Sequence, residues 1–187
     1  AALPVDMDIE DKTRFPKLGM IHAIDKSCSM SGDPLMLAKE AALQTVELLS
    51  PRDMLGVIGF DAAASFIVPF APLDDKAHVN ETIASIRAGG GTDIYPALER
   101  SFDALAKSDA ALRHVILLSD GVTGDGAFQG LISRAHTRDQ ITVTSIAIGG
   151  HADRQTMEQF ARWGNGNYYL VTDPSAIPAI FTRETLL

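Results

Sequence analysis

The chain has 187 residues, of which 46% are hydrophobic and 21% charged, as is typical of one soluble globular domain. The formal net charge of −8 argues against nucleic acid as a partner, because binding to phosphates needs a basic face. The longest apolar runs are too short to cross a bilayer, so we expect no membrane insertion. The single cysteine, Cys28, excludes an internal disulfide and a cysteine-rich metal site.

The first half of the chain alternates apolar runs with helical patterns. Residues 1–17 predict an extended lead-in, and residues 18–187 the domain itself. Buried strands are predicted at residues 18–24, 54–60 and 65–70, and the short turn between the last two predicts a hairpin with one antiparallel edge strand. Helices are predicted at residues 74–87 and 94–106, and from an N-cap at Asp33 to about residue 49.

The second half continues the alternation, with strands predicted at residues 115–118, 141–148 and 167–171 and helices at 128–137, 153–163 and 174–181. This order indicates a three-layer α/β fold, a doubly wound, Rossmann-like and mostly parallel sheet with helices on both faces. Ligands of such sheets bind beyond the carboxyl ends of the strands. The chain lacks an initiator methionine and ends just after a helical pattern, so we expect a fragment of a larger protein.

Three loops at predicted strand or helix ends carry polar side chains. Residues 25–30 read Asp-Lys-Ser-Cys-Ser-Met, residues 89–93 read Gly-Gly-Gly-Thr-Asp, and residues 119–121 read Ser-Asp-Gly. If these loops meet, they offer Mg²⁺ an all-oxygen donor set from Asp25, Ser27, Ser29, Thr92 and Asp120. If the hydroxyls bind directly and the aspartates partly through water, little negative charge touches the ion, which can then accept a carboxylate from outside.

Each loop alone has a simpler interpretation. Asp25 and Ser27 could hold a turn, Thr92 and Asp93 could cap the following helix, and Asp120 could begin a turn. The joint occurrence of all three favours a metal site. The glycines at residues 89–91 do not form a phosphate-binding loop, because they lack the spacing and the lysine of that motif.

Together the three loops resemble the metal-ion-dependent adhesion site (MIDAS) of the von Willebrand factor type A family, over about residues 18–181. All five donor positions match, and Cys28 stands where a glycine is common. The resemblance implies that these side chains bind Mg²⁺ or Mn²⁺ and that a protein partner supplies an Asp or Glu carboxylate. It implies binding rather than catalysis, and it is closest in character to bacterial members found inside larger, often membrane-anchored proteins.

Two other hypotheses remain open at this stage. One is a Mg²⁺-dependent phosphotransferase-like α/β enzyme with Asp25 as nucleophile, although Ser27 rather than an acid follows two residues later. The other is a structural domain whose site is filled by its own chain or stays empty. Cys28 is not expected to be a nucleophile, because none of the five histidines has an evident position as its base.

Overall fold

The protein is described here by a computed structural model that covers residues 16–121, 126–149 and 152–186. Its described strands form one sheet, consisting of β1 (Leu18–Asp25), β2 (Met54–Phe60), β3 (Ala64–Pro72), β4 (Leu112–Ser119), β5 (Ile141–Ile148) and β6 (Asn165–Val171). The spatial order is β3-β2-β1-β4-β5-β6. Neighbouring strands are parallel except for β2 and β3, so the predicted mostly parallel sheet with one antiparallel edge strand is confirmed.

Helices cover both faces of this sheet. One face carries α1 (Asp33–Leu48), α2 (Lys76–Ala84) and α6 (Ile177–Leu186), and the other carries α3 (Tyr95–Ala106), α4 (Phe128–Asp139) and α5 (Arg154–Trp163). Strand β1 contributes to both hydrophobic cores, because successive side chains of a strand point to opposite faces. Met20 and Ile24 pack in the first core, and Ile21 and Ala23 in the second.

The sheet topology determines where a ligand can bind. Strand β1 lies between β2 and β4, and the chain leaves the carboxyl ends of β1 and β4 towards helices on opposite faces. Such a reversal opens a crevice at the carboxyl ends of the two central strands. Asp25 is the last residue of β1 and Asp120 directly follows β4, so both lie at this crevice.

Some helix boundaries differ from the predicted ones. The prediction that Asp33 is an N-cap is wrong, since α1 begins at Asp33 and Gly32, with φ 87°, is the N-cap. Glycine adopts this φ without strain and turns the chain sharply into the helix, while the Asp33 carboxylate lies in the first turn, where the helix dipole favours it. Helix α2 is shorter than predicted: it begins at Lys76, where Asp75 caps it by accepting a hydrogen bond from the His78 amide, and it ends at Ala84.

A buried carboxylate attaches α6 to the sheet. Glu184 accepts hydrogen bonds from Thr144 Oγ1 at 2.8 Å, Asn167 Nδ2 at 2.9 Å and the Tyr169 hydroxyl at 2.8 Å. His114 Nε2 lies 3.3 Å from its Oε2. Of these partners, His114, Thr144 and Asn167 lie in the first halves of β4, β5 and β6, so the cluster is on the side of the sheet away from the crevice.

Among the described residues, no helix combines the length and the apolar character needed to span a membrane. Pro16 and Lys17 have no regular secondary structure, and residues 1–15 of the predicted lead-in lie outside the described residues.

Candidate metal site

Asp25 is fixed in position at the centre of the crevice. Its side chain is buried, and Oδ1 accepts a 2.8 Å hydrogen bond from the Ser27 amide while Oδ2 accepts a 2.7 Å bond from the Ser119 hydroxyl. The carboxylate therefore does hold the turn that the simpler interpretation assigned to it. It also joins the carboxyl ends of β1 and β4 and faces the residues that follow both strands.

Three more of the predicted donors form a chain of contacts beside it. A turn of 3₁₀ helix over Cys28–Met30 places the hydroxyl oxygens of Ser27 and Ser29 3.0 Å from each other. Ser29 also donates a 2.8 Å hydrogen bond to Asp120 Oδ1. Burial raises the pKa of Asp120, the Ser29 bond lowers it, and the nearby charge of Asp25 raises it again. The net shift is upward, as expected where two carboxylates share a partly buried site.

Thr92 is brought to the same place by the loop of residues 89–93. The Cys28 amide donates to the Gly90 carbonyl at 3.1 Å, and the Gly89 amide to the Lys26 carbonyl at 2.7 Å. These bonds hold the loop against residues 25–30. A Cβ atom added at Gly121 would lie 3.2 Å from Thr92 Oγ1, so the threonine side chain packs on the backbone that follows Asp120.

The Thr92 hydroxyl does not cap the next helix, as the simpler interpretation of this loop would have it. Helix α3 begins at Tyr95, and its N-cap is Ile94, with no side-chain cap hydrogen bond. The Asp93 carboxylate does accept a 3.3 Å bond from the Tyr95 amide. The Thr92 hydroxyl is not used in this way, which leaves it available as an oxygen donor.

The chemistry of this donor set fits a hard divalent cation. Among the described residues, neither Asp25 nor Asp120 forms an ion pair with a lysine or arginine, and the nearby Lys26 pairs with Asp61 instead. Two uncompensated carboxylates with hydroxyl oxygens around them suit Mg²⁺ or Mn²⁺. No group of three or more His, Cys, Asp or Glu side chains in the described ranges could hold a metal, so a site here depends on hydroxyl donors.

Sequence reasoning missed two residues with a structural part in this arrangement. Ser119 was noted only as part of a motif, although its position directly before Asp120 at the end of β4 was a usable signal. Asp61, in the turn between β2 and β3, pairs with Lys26 and had no sequence signal. Its proximity depends on the order of the strands.

Cys28 and His22 occupy different environments in the described part of the chain. Cys28 is exposed, and no hydrogen bond joins it to a described histidine. His22 is buried in β1, its ring packs against Phe181, and burial, with a smaller effect of His114, lowers its pKa to about 3. A neutral, buried imidazole of this kind agrees with the structural role predicted for it.

Comparison with known proteins identifies the family. A sequence model of the von Willebrand factor type A domain matches residues 20–183. The chain belongs to the von Willebrand factor type A family. Domains of this family are generally metal-dependent adhesion or protein-interaction modules, typically bind a divalent metal at the MIDAS, and are mostly not enzymes.

Relatives of this von Willebrand factor type A domain include much longer proteins. An uncharacterised Synechocystis protein is 28% identical over 169 residues, which cover 89% of this chain and 40% of that protein. A human inter-alpha-trypsin inhibitor heavy chain is 33% identical over 122 residues, covering 60% of this chain and 13% of that protein. The chain thus spans well under half of the length of these two relatives.

Solved structures agree with the fold. A von Willebrand factor type A protein from Catenulispora acidiphila superimposes with a TM-score of 0.82 at 22% identity, over 91% of this chain and 42% of that one. Proximal thread matrix protein 1 from the mussel byssus, in a structure with a zinc-occupied MIDAS motif, gives a TM-score of 0.74 at 18% identity, over 90% of this chain and 47% of that one.

Proposed function

We propose that this domain binds Mg²⁺ or Mn²⁺ through Asp25, Ser27, Ser29, Thr92 and Asp120, and uses the ion to capture an Asp or Glu side chain of a partner protein. The observation that carries the proposal is the convergence of two carboxylates and the serine hydroxyls at the carboxyl ends of β1 and β4, where no cationic side chain of the described residues is paired to either aspartate.

The burial of the five side chains supports an open face for a partner. Asp25 and Ser27 are buried, at 0% and 2% exposure, whereas Ser29 is exposed and Thr92 and Asp120 are partly exposed. The buried pair would hold the inner side of an ion, and a partner would approach beside Ser29. When bound, the ion supplies an electrophilic coordination position for one further oxygen ligand.

The hydrogen bonds of Asp25 assign it an orienting task. The Ser27 amide and the Ser119 hydroxyl each occupy one of its oxygens, so the carboxylate cannot rotate freely. The three hydroxyl donors of the proposed set are neutral and add no charge. Two carboxylates therefore balance the charge of a divalent ion without excess negative charge, so the site would not repel an incoming acidic side chain, which would bind at an open coordination position of the ion.

The competing phosphotransferase hypothesis is not favoured. A nucleophilic Asp25 needs an accessible oxygen, but this residue is 0% exposed and both of its oxygens accept hydrogen bonds. The neighbouring ammonium group, that of Lys26, is held by Asp61. Incubation with an aryl phosphate and Mg²⁺ tests the point, and turnover that Asp25→Asn abolishes would revive the enzyme hypothesis.

Titration calorimetry tests metal binding directly. Mg²⁺ and Mn²⁺, with Zn²⁺ for comparison, are titrated into the wild-type domain and into Asp25→Asn, Asp120→Ala and Asp33→Ala. Asp33 is the matched control, an exposed carboxylate at the start of α1 outside the proposed set. We expect heat from the wild type and the control only, with circular dichroism showing that every variant is folded. Equal heats from all four proteins would rule the site out.

A second measurement tests capture of an acidic side chain. The water-proton relaxation rate of the Mn²⁺-loaded domain depends on the number of water molecules bound to the ion. A blocked Gly-Glu-Gly peptide should lower this rate by displacing one of them. The same peptide with glutamine in place of glutamate is the control. If both peptides act alike, the partner does not bind through its carboxylate.

A further inference from the structure

A partly buried ion pair lies beside the proposed metal site. Lys26 Nζ is 2.7 Å from Asp61 Oδ2, and the two side chains are 22% and 24% exposed. The hydrogen bond from Lys26 is the main cause that lowers the pKa of Asp61. The pair joins the loop after β1 to the turn after β2.

Asp61 also contacts the loop that carries Thr92. Its carbonyl accepts a 2.7 Å hydrogen bond from the Asp93 amide. Gly90 has φ +88°, and a Cβ atom added there would lie 2.8 Å from Asp61 Cβ and 2.9 Å from Oδ2. The backbone on both sides of Thr92 thus rests on Asp61.

Lys26 completes the connection between these segments. It stands between the proposed ligands Asp25 and Ser27, its amide donates to the Phe60 carbonyl at 2.8 Å, and its carbonyl accepts from the Gly89 amide at 2.7 Å. The three segments, residues 25–30, 61–63 and 89–93, are therefore joined in a ring, and the charged pair is its side-chain link.

We propose that Asp61, acting through Lys26, is a positioning residue of the metal site that holds the loop of Thr92 against the loop of Ser27 and Ser29. The inference rests on the proposed function, since it concerns the affinity of the same site. Partners that orient metal ligands from outside the coordination shell change metal affinity roughly 10-fold to 100-fold when they are mutated. We expect an effect of roughly 10-fold here.

A simpler electrostatic explanation predicts a different pattern of effects. If the two charges act on the ion only through their field, loss of Asp61 weakens metal binding and loss of Lys26 strengthens it. Loss of both then leaves affinity near the wild-type value, because the net charge is unchanged. If the pair positions the loops, loss of either partner weakens binding, and loss of both weakens it by about as much as one.

The experiment measures Mn²⁺ affinity by calorimetry for the wild type, Asp61→Asn, Lys26→Met, the double variant and Lys26→Arg. Arginine keeps a cation that can pair with Asp61, so it is the conservative control. The expected result is a loss of roughly 10-fold in the first three variants and affinity within about 2-fold of wild type for Lys26→Arg. Unfolding of the metal-free variants by urea shows whether each is folded.

Two results overturn the inference. In the first, Lys26→Met binds Mn²⁺ more tightly than the wild type, and the double variant has the affinity of the wild type. In the second, all variants of the pair keep the affinity of the wild type, while Asp120→Ala loses binding. If Asp61→Asn does not fold, the Mn²⁺ affinities of Lys26→Met and Lys26→Arg are compared instead. The electrostatic explanation predicts tighter binding by Lys26→Met, and the positioning explanation predicts weaker binding. Absence of Mn²⁺ binding by the wild type would instead reject the proposed function itself.

Discussion

The hydroxyl of Ser119 donates a 2.7 Å hydrogen bond to Oδ2 of Asp25, across 94 residues of chain and between two side chains with no exposed surface. The bond joins the last residues of the two central strands, β1 and β4. It directs the carboxylate of Asp25 towards the loops that follow both strands. The position of the proposed metal site therefore depends on it.

Ser119→Ala should lower the free energy of unfolding of the metal-free domain by roughly 1–3 kcal/mol, because it removes a donor from a buried carboxylate. Urea denaturation measures the change. Ser101→Ala is the matched control, since Ser101 is equally buried but donates to the Ala97 carbonyl within α3, which leaves no carboxylate unpaired when it is lost. Equal losses in the two variants would contradict the special role of Ser119.

Asp120→Asn should stabilise the metal-free domain while removing its response to metal. The pKa of Asp120 is raised by burial and by Asp25, so the folded state binds this proton more tightly than the unfolded chain does. The protonated Asp120 side chain therefore contributes to the free energy of unfolding. This contribution is complete below the pKa of 3.8 in the unfolded chain, and it is lost as the pH rises through the higher pKa of the folded state. At pH 7 the charged group is a cost, and asparagine removes it.

Scanning calorimetry at pH 7 checks this expectation. Without metal, the Tm of Asp120→Asn should exceed that of the wild type by roughly 1–2 °C, about 0.5 kcal/mol after screening by solvent. Addition of Mg²⁺ should raise the Tm of the wild type only. Because protons compete with the ion at Asp120, Mg²⁺ stabilisation of the wild type should weaken as the pH falls towards the raised pKa. A lower metal-free Tm for the variant would refute the prediction.

Gly90→Ala should destabilise the domain by at least about 1 kcal/mol, because the alanine would have to adopt a positive φ and its Cβ would meet Asp61. We also expect weaker Mn²⁺ binding, since the loop that carries Thr92 must move. Gly91→Ala is the control: a Cβ atom there meets nothing within 4 Å, so its stability should stay within about 0.5 kcal/mol of wild type. Chemical denaturation and calorimetry measure both quantities, and similar behaviour of the two variants would be evidence against this packing.

Glu184→Gln should lower stability by about 1–3 kcal/mol at pH 7, because it puts an amide among donors that are arranged for a carboxylate. Burial alone would raise the pKa of Glu184, but the nearby His114 imidazole and the hydrogen bonds from Asn167, Tyr169 and Thr144 outweigh it and lower the pKa to about 2.

The sign of the pH dependence follows from this lowered pKa. The contribution of ionised Glu184 to the free energy of unfolding is complete above 4.5, the pKa in the unfolded chain. It is lost as the pH falls from there through about 2, the pKa in the folded state. The difference between wild type and Glu184→Gln should therefore shrink over that interval in urea denaturation. Glu158→Gln, which removes an exposed partner of Arg162, is the surface control. A constant difference for Glu184→Gln would contradict the assigned charge.

Much of the fold follows from local sequence patterns. Apolar runs and amphipathic helices are periodic features of neighbouring residues, and they predicted the alternation of elements, the parallel sheet and its antiparallel edge strand. Because the carboxyl ends of parallel strands lie at one edge, the same patterns indicated that the loops carrying Asp25 and Asp120 can meet there. The nature of the donors, carboxylates and hydroxyls, was likewise evident from the residues alone.

Only the tertiary structure decided which distant groups meet. The side-chain partners of Asp61, Ser119 and Glu184 lie between 15 and 94 residues away along the chain, and they meet through strand order and helix packing. The last helix was predicted to begin over residues 174–181, and in the structure α6 continues to Leu186 and buries Glu184. Local sequence periodicity does not determine which elements pack against each other, because their arrangement depends on the burial of apolar faces across the whole domain.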